Sequence, residues 1–294
     1  MSVLVLVVLI GGAVSLVAVT IAARATSGRG VHPSREWLAV RAVWLAAVVV
    51  GVVVAVLLAG RLDLGRGTML VPAVIGLFVV AGVGLAESVV RPSRPAGVRT
   101  ASLAPRRVAD YLQGQVAIAV VGLTTVHVAT LLLTTATASA DDLGRAGRQV
   151  AAQCGSTGSA AGPYPGSFYS VPLGLVLLAT GVAAVTALLV VVRRPRGFAP
   201  DEVGDDVLRV RSTTRVLAAS GAAVAASHAG VAFFASTALL RMDCRSVWMA
   251  PVGWLLLASV PVAVVLLGWF VGRVVAGRGK PVAAVELTPE RQPR

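Results

Sequence analysis

Charge is what this sequence has least of. Only 13% of its 294 residues are Asp, Glu, Lys or Arg, and lysine occurs once, at Lys280. A soluble domain of this composition would expose apolar surface that water does not tolerate. With its one lysine near the end of the chain, no apolar segment carries an amine for a retinal Schiff base, which excludes a microbial-rhodopsin reading. The P-loop, zincin and Gly-x-Ser-x-Gly patterns are also missing, and no carboxylate pair falls within an apolar run. The chain therefore has no means of its own to energise transport by nucleotide hydrolysis, and it is expected to be non-enzymatic, with no cofactor and no metal.

What the sequence does contain is apolar length. Hydrophobic residues make up 56% of it, and mean hydropathy is +0.85. A membrane-crossing helix needs about 20 mostly apolar residues. Seven runs qualify: Ser2–Ala23, Trp37–Leu58, Met69–Val90, Gln115–Thr137, Val171–Val192, Thr213–Leu239 and Pro251–Val271. In lipid every backbone polar group must be satisfied internally, and long unbroken Val, Ala and Leu runs achieve this as helices, not as alternating barrel strands. The expected fold is all-α: a polytopic transmembrane helical bundle of seven helices forming one domain over 1–276, followed by a polar, proline-bearing and disordered cytoplasmic tail over 277–294. The first run differs from a cleaved signal peptide in having no Lys or Arg before it and about twice the length of a signal h-region.

The net charge of +13 reflects orientation. Twenty of the 26 cations fall on alternate connections and the tail; the other side holds only Arg61, Arg66, Arg145, Arg148, Arg241 and Arg245. Positive residues are retained in the cytoplasm, which places the N-terminus outside, the C-terminus in the cytoplasm, and the protein in the cell membrane. No basic patch is interleaved with aromatics, so nucleic acid is not an expected partner. The expected partners are the lipid bilayer and either a cytoplasmic protein or further copies of the chain.

Cys154 and Cys244 both fall on the outer side, in the connections after the fourth and sixth runs. An oxidising exterior permits a disulfide between them; the competing reading is two separate thiols. The stretch 138–170 is rich in Gly, Ser and Ala and reads as an irregular lid, ordered by that bridge and by Tyr164, Phe168 and Tyr169 settling onto the bundle.

An internal repeat links the fifth and seventh runs. Val171-Pro172-Leu173-Gly174 matches Ala250-Pro251-Val252-Gly253, and the register continues through Thr180 with Ser259, Ala184 with Ala263 and Arg194 with Arg273. Together with Val71-Pro72 opening the third run, this predicts a parallel repeat of three helix hairpins after a lone first helix; chance similarity of low-complexity helices is the alternative. Prolines 72, 172 and 251 are expected in first helical turns, where a missing N–H is no loss. Pro261 falls inside the seventh run, where it should kink the helix.

Two constellations could carry chemistry. His127 and His228 lie at similar depths in the fourth and sixth runs, and ionisable groups inside a span face the bundle interior. They form a candidate intramembrane polar site, whether as a haem or metal site, as a proton-linked step, or as neutral side chains hydrogen-bonded to a neighbouring helix through Thr124, Thr125 or Ser227. Arg41 and Glu87, each one turn from the inner end of its run, form a candidate ion pair. The sixth run is almost entirely small residues from Ser220 to Gly230, so it should be central and tightly packed.

On the inner side, Arg106-Arg107-Val108-Ala109-Asp110-Tyr111-Leu112 suits a short interfacial helix, and Asp201, Glu202, Asp205 and Asp206 suit a solvated helix start. The run 99–112, with the hydrophobic pattern around it, resembles uncharacterised multi-pass integral membrane proteins of actinobacteria. The resemblance covers the middle of the chain and implies no activity. Function is thus left between a permease or transporter-like subunit for a small molecule or ion, a sensor or scaffold that docks a cytoplasmic partner, and a haem-linked electron-transfer protein. Dry packing around the histidines favours the scaffold, and a polar cavity there favours transport.

Overall fold

The computed structural model describes residues 35–89, 106–194 and 202–276. Among them are six helices long and apolar enough to cross a membrane: α1 (Arg35–Arg61), α2 (Arg66–Val89), α3 (Gly114–Thr137), α4 (Ser167–Arg193), α5 (Glu202–Arg241) and α6 (Met249–Ala276). These are the expected second to seventh spans. The expected first span, Ser2–Ala23, and the 277–294 tail lie outside the described residues. The helices run past the apolar runs at most ends. The largest extension is in α5, whose 40 residues reach about 60 Å at the helical rise, roughly twice the hydrocarbon thickness. Hydropathy marks only the part of such a helix that lies in lipid; the stem from Glu202 is amphipathic and carries its own packing.

α5 is the hub. It packs against α2, α3, α4 and α6, and each of the four hydrophobic clusters includes residues from it. Its small residues make this approach possible. A Cβ on Gly76 of α2 would collide with Ala223, and one on Gly221 would lie 2.6 Å from the Phe270 ring of α6. Close backbone approach of this kind replaces the hydrophobic drive that lipid does not supply between helices. The outward faces of α1, α3, α4 and α6 carry exposed Val, Ile and Leu, such as Val49, Ile118, Leu178 and Val265.

The three-hairpin expectation holds only in part. α1 with α2, and α5 with α6, are extensively packed antiparallel pairs, but α3 and α4 barely touch, because α4 lies against α2. The repeated positions also occupy unlike settings: Gly174 faces open space, whereas its counterpart Gly253 packs against Leu239 and Leu240. The sequence similarity of α4 and α6 therefore does not extend to their packing. Pro72 and Pro172 lie inside α2 and α4, beyond the first turns expected for them, because both helices start several residues before their apolar runs. Pro261 is inside α6 as expected.

The stretch after α3 is an ordered cap, not an irregular lid. A β-bridge pairs Ser139 with Gln149, and β1 (Val150–Cys154) runs antiparallel to β2 (Thr157–Ala161) in the register Val150 with Ala161 and Cys154 with Thr157. Backbone ladder bonds satisfy groups that the small side chains cannot. The cap is anchored from below, as expected of its aromatics: Tyr164 is fully buried with its hydroxyl 2.7 Å from Thr137 Oγ1, and Tyr169 donates to the Leu64 carbonyl at 2.9 Å. Cys154 and Cys244 stand in disulfide geometry with Cα atoms 5.8 Å apart, joining the hairpin to the α5–α6 connection. This end of the bundle is called the disulfide face below.

Candidate functional site

The structure brings His127 of α3 and His228 of α5 together. Both are 1% exposed, their rings meet edge to face, and their Nδ1 atoms are 3.4 Å apart. His228 Nε2 lies 3.1 Å from Ser259 Oγ on α6, and that hydroxyl donates to the Leu256 carbonyl at 2.6 Å. With both rings neutral, each offers one donor and one acceptor. Because Ser259 spends its proton on Leu256, it must accept from His228 Nε2–H. His228 Nδ1 is then an acceptor, and His127 Nδ1–H donates to it. One polarity thus runs from α3 through α5 to α6, ending on a backbone carbonyl.

That assignment leaves a bare lone pair at His127 Nε2, which is buried without a partner. Sequence symmetry would have supplied one. Thr180 is the repeat counterpart of Ser259, but it donates to the Val176 carbonyl of its own helix at 2.8 Å. Ser227, considered a partner for the histidines, has a buried hydroxyl with no hydrogen bond, and Thr125 donates to the Val121 carbonyl of its own helix. The helix-joining contact comes instead from Ser259, whose only sequence signal is a hydroxyl at mid-span.

A haem does not fit this geometry. Two axial imidazoles must leave room for an iron with bonds of about 2 Å on each side and for the macrocycle between the rings. Here the rings are in direct contact. Among the described residues no group of three or more His, Cys, Asp or Glu is arranged to hold a metal ion. Arg41 and Glu87 fall on α1 and α2, but their side chains lie outside the described residues.

Two charged clusters went unrecognised in the sequence. At the end opposite the disulfide face, Arg209 is fully buried and donates to Asp206 Oδ1 at 2.8 Å and to the Arg194 carbonyl at 3.0 Å, beside the Tyr111 ring. Tyr111 also donates to Asp206, and its carbonyl accepts from Thr213 at 2.7 Å. Two expectations bear on this cluster. The short helix expected before α3 is present as a single 3-10 turn, Val108–Tyr111, and it is tied to α5. Of the acidic helix start, Asp205 is buried instead of solvated, while Glu202 is exposed as expected and Asp206, its side chain 42% exposed, is set beside Arg209 by the i, i+3 spacing; Asp201 lies outside the described residues. That spacing was the available signal. The second cluster, at the disulfide face, gathers Arg61, Arg66, Arg145 and Arg148 around one cavity. Its signal was the presence of four of the six minority cations in just two connections.

No protein-family model, curated protein or solved structure matches the chain. The residues themselves are what bear on its function.

Proposed function

We propose that this integral membrane protein is a non-enzymatic scaffold or sensor subunit of the bacterial cytoplasmic membrane. In this reading the N-terminus and the disulfide face lie outside, and the arginine-rich end docks a cytoplasmic partner. The observation that carries it is the close packing of the centre. Where a permease of this design would hold its path, His127 and His228 pack ring against ring, and Gly76 meets Ala223 without space for a methyl group. The exposed Arg107 lies at the end from which a soluble partner would approach.

The test is photocrosslinking in cells from a benzoylphenylalanine placed at Arg107, with native mass measurement of the full chain in mild detergents. A discrete crosslinked species at a reproducible mass supports the reading. A monomer under every mild condition, with no crosslink, overturns it.

A permease or transporter-like subunit is the second reading, favoured by two buried polar atoms without partners, His127 Nε2 and Ser227 Oγ. Such groups carry a desolvation cost that a passing polar substrate would relieve. Ser227→Cys separates the two readings, because both native cysteines are paired in the disulfide. In membrane vesicles a maleimide should leave Cys-substituted position 227 unmodified if the centre stays dry. Labelling from either side would establish an aqueous path and favour transport.

A further inference from the structure

We propose that the cavity at the disulfide face binds a phosphate-class anion, held by Arg61, Arg66 and Arg148. The cavity measures about 390 Å³ and is walled chiefly by Arg61, Arg66, Arg145, Arg148, Asp63 and Phe168. Arg61 and Asp63 are exposed, so it opens to the aqueous side. Arginine is the cation suited to this task. Its fixed fork of N–H donors matches the oxygens of a phosphate two at a time, and several forks around one cavity suit a tetrahedral group better than a single carboxylate.

Local charge balance leaves the site short of anions. Asp141 engages Arg145 at 2.8 Å and Arg148 at 3.4 Å, and Asp63 is the one carboxylate in the wall. Four guanidiniums thus face two carboxylates, and Arg61 makes no ion pair among the described residues. The Nε atoms of Arg66 and Arg148 are buried with no acceptor. A buried charged donor without a partner is costly, and an entering oxyanion supplies the acceptor.

The frame is set before any ligand arrives. The guanidinium carbons of Arg66 and Arg148 lie 4.9 and 4.1 Å from the Phe168 ring centre, so one ring attracts both cations. Leu64 is held in the left-handed region at φ 54°, a conformation that costs a residue with a Cβ about 1 to 2 kcal/mol. Its carbonyl accepts from Tyr169, which ties the short Arg61–Arg66 connection to the first turn of α4. Gly147, at φ 73°, lets the cap segment carrying Arg145 and Arg148 lie against the first turn of α4, where any side chain would strike Ser167 and Phe168. Connections about 80 residues apart in the chain thereby share one space, and the volume exceeds what a lone phosphate fills, leaving room for the group it is attached to.

The same chemistry is offered by the headgroup of an anionic lipid and by a free phosphate ester, and one experiment separates them. The purified full chain in neutral detergent is titrated with inorganic phosphate and glycerol phosphate by calorimetry. In parallel, it is placed in phosphatidylcholine nanodiscs with and without phosphatidylglycerol, and retained lipid is read by native mass spectrometry. Arg61→Gln with Arg66→Gln should weaken whichever probe binds by roughly tenfold for each arginine removed. Arg61→Gln alone, at an exposed position, should give the first of those steps with unchanged folding. Arg241→Gln with Arg245→Gln removes the two cations of this face that lie outside the cavity and should change nothing. Binding of the soluble probes identifies a free phosphate as the source; selective retention of phosphatidylglycerol identifies a lipid. If no probe binds, or if the two double variants weaken binding alike, the proposal is overturned.

Discussion

The histidine pair and the arginine cavity are both polar islands in an apolar chain, and they treat hydrogen-bonding capacity in opposite ways. At the centre, three helices join a chain of neutral groups, His127 to His228, His228 to Ser259, and Ser259 to a carbonyl, with His127 Nε2 alone in that chain left unpartnered. At the disulfide face, four guanidiniums converge with fewer carboxylates than they can use. The difference follows from the surroundings. In hydrocarbon an unpaired charge is expensive and polar groups must find one another, whereas at an aqueous edge an excess of one sign persists and is available to a ligand. Small residues enable the first arrangement and a braced cap enables the second.

The contrast breaks most completely if the helices are forced apart. Gly76→Leu should destabilise the fold by about 3 kcal/mol through overpacking against Ala223, while Gly174→Leu, facing open space, should be nearly silent. Thermal unfolding of both variants in one detergent checks this; equal shifts would show that α2 and α5 do not depend on close approach. The next largest effect isolates the face. Replacing Cys154 and Cys244 together by Ser should cost about 2 to 4 kcal/mol, concentrated in the cap and readable as faster proteolysis within 138–166 with the helices intact.

Smaller effects sharpen the centre. His127→Leu strips His228 Nδ1 of its donor, and a double-mutant cycle with His228→Leu should give a coupling of about 1 kcal/mol, in the range of transmembrane hydrogen bonds. Strict additivity of the two substitutions would mean that the contact contributes nothing. The smallest effect is in the pH response of the cap. Desolvation pulls the Asp141 carboxyl upward, but hydrogen bonds from the Arg145 backbone and side chain and from the Leu143 amide, with the Arg145 charge, outweigh it and hold it below its usual 3.8. A carboxyl held low in the folded state contributes stability that is present above the unfolded value and lost as pH falls through the folded one. Cap proteolysis should therefore accelerate on acidification below the ordinary carboxylate range, and Asp141→Asn should be uniformly faster and insensitive to that change.

Much of this architecture was legible in the sequence, and the failures are informative. The helical class, the six described spans, the proline within α6 and the central place of α5 all follow from runs of apolar or small residues. The similar depth of His127 and His228 marked them as a candidate site, but neither their meeting nor the identity of their helix-joining partner was legible. Thr180 and Ser259 are matched in the repeat, yet only Ser259 reaches a histidine, because α6 lies beside α5 while α4 has turned to α2. The arginines of the face were read as the minority in an orientation count, although their clustering in two connections was visible.

The sequence by itself determined that the chain is built for lipid, where its helices run, and which residues are scarce enough to matter. Hydropathy and helix formation act segment by segment, so no knowledge of neighbours is required. Only the tertiary structure decided which helix lies beside which, that Asp205 and Arg209 are buried, that the segment after α3 forms a hairpin, and that Arg61 and Arg66 meet Arg145 and Arg148. Those outcomes depend on the rotation of each helix about its axis and on contacts between residues distant in the chain, and similar sequences such as α4 and α6 can resolve them differently.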